Sequence, residues 1–283
     1  MTGALIVARY ALREAVRRRV ILVVLLLTVC FLALYGLGCA VTFNEVNSLA
    51  VRDQIDDRVL AGSTLLGLSM FTILFLGAVL AVFLTLGAVR GDAERGLLQP
   101  LVVRPLGRTS LLLGRFAGAV AVCAVYVALV YTAAVLITGI SGDWWPDRGI
   151  APGLGLVLAV IVIAAISLLG SIFLSSTANG IAVFMLFGAG LAAGLLGQIG
   201  DALAVQTLED VAKVSSWILP FEALYQAGLH ELTAETSGIT GVIVQLGPFG
   251  GAEKAGPGLW VWTLVYLALI AAGARVAFAR RDL

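Results

Sequence analysis

The stretch VILVVLLLTVCFLALYGLGCAVT, residues 20–42, is 23 residues long and contains no charged side chain. A membrane-spanning helix needs roughly 20 predominantly apolar residues. The run is too long for the core of a cleavable signal peptide, and no small-residue cleavage site follows it. The stretch therefore predicts a transmembrane helix that stays in the protein.

The composition of the whole chain is that of a membrane protein. Hydrophobic residues make up 60% and charged residues 12% of the 283 residues, whereas a soluble domain carries roughly 25% charged residues. We expect an all-α integral membrane protein with a single transmembrane domain over residues 1–283. Its six predicted spans are Val20–Thr42, Ser63–Val89, Ser110–Thr138, Gly153–Ser175, Asn179–Gly200 and Leu259–Phe278. A short polar stretch divides the fourth run from the fifth, and two full spans fit its length better than one buried hairpin.

Basic residues divide unequally between the two sides of a six-span layout. Thirteen of the 18 lie on the side of the termini: Arg9, Arg13, Arg17, Arg18, Arg19, Arg90, Arg95, Arg104, Arg108, Arg115, Arg275, Arg280 and Arg281. Thirteen of the 17 acidic residues lie in the loops 43–62, 139–152 and 201–258 on the other side. Since cytoplasmic loops carry an excess of Lys and Arg, we predict cytoplasmic termini.

The charged residues also exclude several classes of function. No Asp, Glu, Lys or His lies inside the six apolar runs, which argues against proton-coupled carriers and voltage-gated channels. Neither Lys213 nor Lys254 follows a phosphate-loop glycine pattern, so any ATP hydrolysis belongs to another polypeptide. His230 is the only histidine, and the three cysteines sit in apolar runs as small hydrophobic residues. We expect no catalytic, metal or cofactor site, and no nucleic-acid partner.

The N-terminal segment ALIVARYALREAVRRR, residues 4–19, has one apolar and one basic helical face. Arg9, Arg13 and Arg17 lie on the basic face, which is typical of a helix in the membrane interface. Two interpretations stay open: charge that only sets the topology, or an elbow helix, residues 1–19, that frames the bundle.

Residues 90–108 form the most charged segment between two apolar runs. Leu97, Leu98, Leu101 and Val102 share one face of a short predicted helix, and Arg104-Pro105 ends it because a residue before proline disfavours helical geometry. On the residues alone, this helix either joins two spans or transmits force between a soluble partner and the membrane.

The last loop, residues 201–258, is long and contains a stretch with helical spacing, residues 208–232. Pro220 interrupts that stretch, and Trp217, Phe221 and Tyr225 are its aromatic groups. We expect an external lid or re-entrant segment with these four as outer-gate residues, or a packed outer cap without gating. The pairs Gly114-x-x-x-Gly118 and Gly190-x-x-x-Gly194 predict close helix packing within the fold, with a dimer seam as the alternative.

The segment RGDAERGLLQPLVVRPLGRTSLLLGR, residues 90–115, resembles the first cytoplasmic loop of the ABC type-2 exporter permeases. The matching residues are Glu94, Gly96, Leu98, Leu101 or Val102, Arg104, Pro105, Arg108, Leu113, Gly114 and Arg115. Leu97 stands where the family often has threonine, and Arg115 replaces the common lysine. The six runs, the long last loop and the ending FARRDL are similar to the family's layout, especially to the nitrous-oxide-reductase maturation permease group.

The resemblance implies that residues 90–108 are a coupling helix that docks on a separate ATPase subunit, which binds the ATP and Mg. The implied coupling residues are Glu94, Arg95, Gly96, Leu98, Leu101, Arg104, Pro105 and Arg108. It further implies a non-catalytic permease in the cell inner (plasma) membrane, surrounded by lipids, with two ATPases and a second permease copy, as a homodimer.

The neutral spans favour an amphipathic or hydrophobic export substrate, such as a lipid, drug or antibiotic. The alternative function is a membrane assembly or signalling subunit. Such a subunit would transmit ATPase motion to an extracytoplasmic protein without exporting a solute.

Overall fold

The computed structural model describes residues 19–48, 56–86, 108–232, 234, 236 and 256–279. These residues form eight helices: α1 (Arg19–Ser48), α2 (Asp57–Thr85), α3 (Arg108–Gly142), α4 (Ile150–Phe173), α5 (Ser176–Leu203), α6 (Gln206–Ile218), α7 (Pro220–Glu231) and α8 (Pro257–Ala279). The predicted elbow-helix residues Arg9, Arg13 and Arg17, and the predicted coupling residues from Glu94 to Pro105, lie outside the described residues. Among the predicted coupling residues the description includes only Arg108, where α3 begins.

Six of the eight helices, α1 to α5 and α8, are long and apolar enough to cross a membrane. Their apolar spans contain 22 to 31 residues, and at about 1.5 Å per residue even the shortest exceeds a hydrocarbon core of roughly 30 Å. The prediction of an all-helical protein with six spans is confirmed. The fourth and fifth spans are separate helices, because Leu174 is extended between them (φ −103°, ψ 153°).

The centre of the bundle consists of α2 and α4. In the most apolar stretch of each helix, 67% of α2 and 61% of α4 is buried, compared with 17% of α1 and of α8. The flanking helices α1 and α8 therefore present most of their apolar side chains outward.

Helix α2 begins with the cap that its sequence favours. Asp56 accepts hydrogen bonds from the backbone N–H groups of Arg58 and Val59, as an N-cap aspartate does.

Buried hydrogen bonds join the spans and fix their relative directions. The hydroxyl groups of Thr28 and Tyr126 lie 2.6 Å apart, and Tyr35 pairs with Thr138 further along both helices, so α1 and α3 run parallel. Thr85 of α2 donates to Ser167 of α4 at 2.7 Å. Such interhelical bonds add specificity where helices cannot rely on the hydrophobic effect to associate.

The start of α3 and the ends of α4 and α8 lie together. Leu112, Leu168, Ile172, Ala274 and Phe278 form one buried cluster there. Since α1 runs parallel to α3, this end of the bundle also holds the start of α1. We call it the terminal end and the opposite end the far end.

At the far end a tryptophan pair follows α3. Trp144 is buried against Gly62 of α2, where a Cβ atom would come within 2.5 Å of its ring. Trp145 is half exposed and lies against Gly139. Trp144 therefore belongs to the core of the bundle, whereas Trp145 lies at its surface.

Candidate functional site: a helical pair packed into the bundle

The candidate site is the pair α6 and α7, which follows α5 without crossing the membrane. The chain reverses at Ala204, whose φ of 53° is left-handed, and α6 then returns alongside α5. A Cβ atom on Gly200 would lie 2.9 Å from the Leu208 Cβ, and one on Gly197 would lie 2.8 Å from the Ala212 Cβ. These two contacts make α6 antiparallel to α5, so α6 runs from the far end back toward the middle of the bundle.

The second reversal occurs at Leu219 and Pro220. Leu219 is not helical (φ −125°, ψ 71°), and Pro220 occupies the first turn of α7, where its missing N–H is not needed. Proline also disfavours helical geometry in the residue before it. The predicted interruption at Pro220 is therefore confirmed as the boundary between two helices.

Helix α7 is buried between α4, α2 and α5. A Cβ atom on Gly155 of α4 would lie 2.8 Å from the Leu224 carbonyl oxygen. One on Gly228 would lie 3.1 Å from the Met70 side chain and 3.3 Å from the Pro152 Cα. Because both positions are glycine, the backbones of α7 and α4 come into direct contact.

Phe221 fixes how deeply the tip of α7 reaches. Its ring stacks on Phe187 of α5, with centroids 5.7 Å apart and an angle of 16° between the planes, and Gly190 makes room for it. Phe187 is the twelfth residue of α5, about 17 Å along that helix. The tip of α7 therefore lies near the middle of a hydrocarbon core of roughly 30 Å.

A carboxyl group is buried beside this tip. Glu222 is only 6% exposed, and its Oε1 occupies the space where a Cβ atom on Gly194 would be. One turn further on, the Gln226 Oε1 accepts a hydrogen bond of 3.1 Å from the Gln198 Nε2 of α5. The six spans have neutral interiors as predicted, but α7 brings an acidic group into the bundle that they form.

Tyr225 lies one turn after Phe221, and the rings of both residues are buried on α7.

Aromatic residues connect α6 to α8. The Trp217 ring lies 5.0 Å from that of Trp262, and the Trp262 Nε1 donates a hydrogen bond of 3.0 Å to the Trp217 carbonyl oxygen. Tyr266 extends the row, with its ring 6.2 Å from Trp262. Trp217 itself is 54% exposed, so it belongs to this row at the surface and not to the buried set on α7.

The other end of α7 is anchored to the connection between α3 and α4. The Arg148 Nη1 donates to the Glu231 Oε2 at 2.8 Å, and the Asp147 N–H donates to the Leu232 carbonyl oxygen at 3.2 Å. Tyr131 holds the same connection by donating to the Gly149 carbonyl oxygen at 2.9 Å. The pair α6 and α7 thus enters the bundle from the far end and returns to it.

The structure brings three of the four predicted outer-gate residues together, since Pro220, Phe221 and Tyr225 are all buried on α7. Sequence analysis missed Glu222 and the glycines that receive α7. The one available signal was Gly190-x-x-x-Gly194, which was predicted to pack spans against each other. In the structure these glycines lie against Phe221 and Glu222 of α7, so they pack within the fold but not against a span.

Comparison with known proteins extends over almost the whole chain. A family model described as "ABC-2 family transporter protein" matches residues 5–283, which include all eight described helices and the segment 90–108. No curated protein matches the sequence.

Proposed function

Because the chain belongs to the ABC-2 family of transporter proteins, which are membrane permeases that work with an ATPase partner, we propose that it is the export permease of such a complex. The complex contains two copies of the permease and two of the ATPase. Its substrate is amphipathic or hydrophobic, since the interiors of the six spans carry no charge that would attract an ion.

One observation supports the coupling role of residues 90–108 above others. Helix α2 ends at Thr85 and α3 begins at Arg108, both at the terminal end, where α1 also begins and α8 ends. Thirteen of the 18 basic residues belong to this side. By the charge rule for membrane proteins this side faces the cytoplasm of the cell, where an ATPase would dock.

The buried helix α7 supports a gating role at the opposite side. It lies in the outward half of the bundle, where glycine contacts, the stacking of Phe221 on Phe187 and an ion pair at the edge of the bundle hold it in place instead of a membrane-spanning connection. A rotation of the spans that opened the contact at Gly155 would release the rings of Phe221 and Tyr225. We assign these two residues to the outer gate, with Pro220 as the fixed corner and Trp217 as its surface contact.

The coupling role is tested by reversing charge at the segment. We expect Glu94→Arg and Arg104→Glu each to weaken co-purification with the ATPase by about tenfold or more, because like charges would then meet at the interface. Lys213→Glu is the matched control, since it changes one charge at the far end and leaves the complex intact. A complex that survives both reversals with full transport would rule out these roles.

The alternative function is mechanical work on an extracytoplasmic protein. It is favoured by α6, whose described residues include no buried side chain and whose apolar Val211, Val214 and Ile218 are exposed. Pull-down with tagged residues 201–258 in the full chain distinguishes the two functions. A stable protein partner, together with ATPase activity that ignores lipids and hydrophobic drugs, would favour the mechanical role over export.

A further inference from the structure

A groove of about 260 Å³ opens between α3, α4 and α8 at the terminal end of the bundle. Its walls are apolar side chains, among them Leu112, Phe116, Leu168, Leu267 and Ile270. Arg275 is the one charged residue among those that line it. The volume approaches the range of roughly 300–1,000 Å³ that is usual for small-molecule sites.

The length of the groove matches one leaflet of a bilayer. Along α8 its lining extends from Leu267 to Arg275, a rise of eight residue steps and therefore about 12 Å. Half of a hydrocarbon core of roughly 30 Å is about 15 Å. Leu113 on the opposite wall is 55% exposed, so the groove is open toward the surrounding hydrocarbon. An extended apolar chain lying in the groove would make dispersion contacts with the side chains that line it.

The charge lies where a lipid headgroup would be. Arg275 is exposed, and its guanidinium makes no hydrogen bond or ion pair with any residue that the structure describes. It lies at the terminal end of the groove, one turn from the end of α8. An arginine matches a phosphate group through two parallel N–H donors, and anionic lipids attract basic residues near the membrane surface.

We propose that this groove binds an anionic phospholipid, with one acyl chain along α8 and the phosphate on Arg275. The orientation in the proposed function makes the lipid one of the cytoplasmic leaflet, and only that detail depends on it. The N-terminal segment of the chain is a poorer occupant, because Arg9, Arg13 and Arg17 carry the same charge as Arg275.

The test uses the purified full chain, without an ATPase, in mild detergent with added phosphatidylglycerol or phosphatidylcholine. Native mass spectrometry then counts the lipids that remain bound. We expect the wild-type chain to retain phosphatidylglycerol preferentially and Arg275→Gln to lower that retention about fivefold. Arg275→Lys should keep most of the preference, since it keeps the charge.

A second variant separates the groove from the charge. Ala271 lines the groove, so Ala271→Trp should fill it and lower the retention of both lipids. Leu264→Trp is the matched control, because Leu264 is 65% exposed on the same helix outside the groove, and it should leave retention unchanged. Thermal unfolding of each variant checks that the fold is intact.

Three results would overturn the proposal. One is equal retention of the two lipids by the wild-type chain, and another is retention that neither Arg275→Gln nor Ala271→Trp changes. The third is strong retention only after deletion of residues 2–18, which would assign the groove to the chain's own N-terminal segment. Because no ATPase is present, these results leave the proposed coupling role untouched.

Discussion

At Gly155 the backbone of α4 meets the carbonyl oxygen of Leu224, and a Cβ atom there would lie only 2.8 Å from that oxygen. Backbone atoms cannot rotate away as a side chain can, so any larger residue has to push α7 out. Gly188 of α5 is the opposite case, because a Cβ atom there would have nothing within 4 Å. The backbone contact therefore requires glycine at position 155, whereas no neighbouring atom requires it at position 188.

We expect Gly155→Ala to destabilise the protein by about 1–3 kcal/mol, the usual cost of overpacking a filled contact. Gly188→Ala should be neutral or stabilise by up to about 1 kcal/mol, since alanine favours a helix interior. Thermal unfolding in detergent, followed by tryptophan fluorescence, measures both. Equal shifts in the two variants would contradict the close contact between α4 and α7.

Pro220 and Glu222 show which features of the site can be predicted from the sequence and which cannot. The break at Pro220 is local chemistry, a missing N–H and a steric conflict with the preceding residue, and it was predicted correctly. The depth of Glu222 depends on Gly194, 28 positions earlier, and no local pattern records that contact. A carboxyl group predicted to lie in an outer loop is therefore found inside the bundle.

At the scale of elements, α6 and α7 are held mainly by packing, and α7 is joined to the connection between α3 and α4 by the Arg148–Glu231 ion pair and the Asp147–Leu232 backbone hydrogen bond. Arg148 is half exposed, whereas Glu231 is largely covered, so the pair lies at the edge of the bundle. Water and salt weaken such a pair, and its contribution is below about 1 kcal/mol. The ion pair therefore favours this position of α7 but is too weak to prevent the helix from moving.

We expect Arg148→Glu to increase hydrogen exchange of the amide groups in residues 220–232, because two like charges then meet at the end of α7. The double variant Arg148→Glu, Glu231→Arg should return the exchange close to that of the wild type. At high salt the difference between the single variant and the wild type should shrink. Unchanged exchange in the single variant at low salt would mean that the ion pair does not hold α7.

For the whole molecule, the number of spans was predictable because hydrophobic length is a property of each run by itself. Which helices lie at the centre of the bundle was less predictable, since α2 and α4 are no more apolar in sequence than α1, which lies at the edge. Contacts such as Thr85 with Ser167 determine which helices lie inside, and they join residues 82 positions apart. The coupling role of residues 90–108 stays a prediction.

The orientation of the whole molecule is tested by labelling. In a variant without Cys30, Cys39 and Cys123, a cysteine at Asp143 should react with a membrane-impermeant maleimide added to intact cells, because Asp143 lies at the far end. A cysteine at Thr177, which is exposed at the terminal end in the first turn of α5, should react only after the cells are permeabilised. The reverse pattern would place the termini outside.

The short connection between α4 and α5 has a consequence for how the protein is made. Only Leu174 and Ser175 separate the two helices, and neither residue carries a charge that could retain one side of the chain during synthesis. Two long apolar helices with so short a link have to enter the bilayer from the translocon together, as one hairpin. The orientation in which this hairpin inserts then depends on the arginines that precede α3. The first half of the chain therefore determines the orientation of α4 and α5 in the membrane.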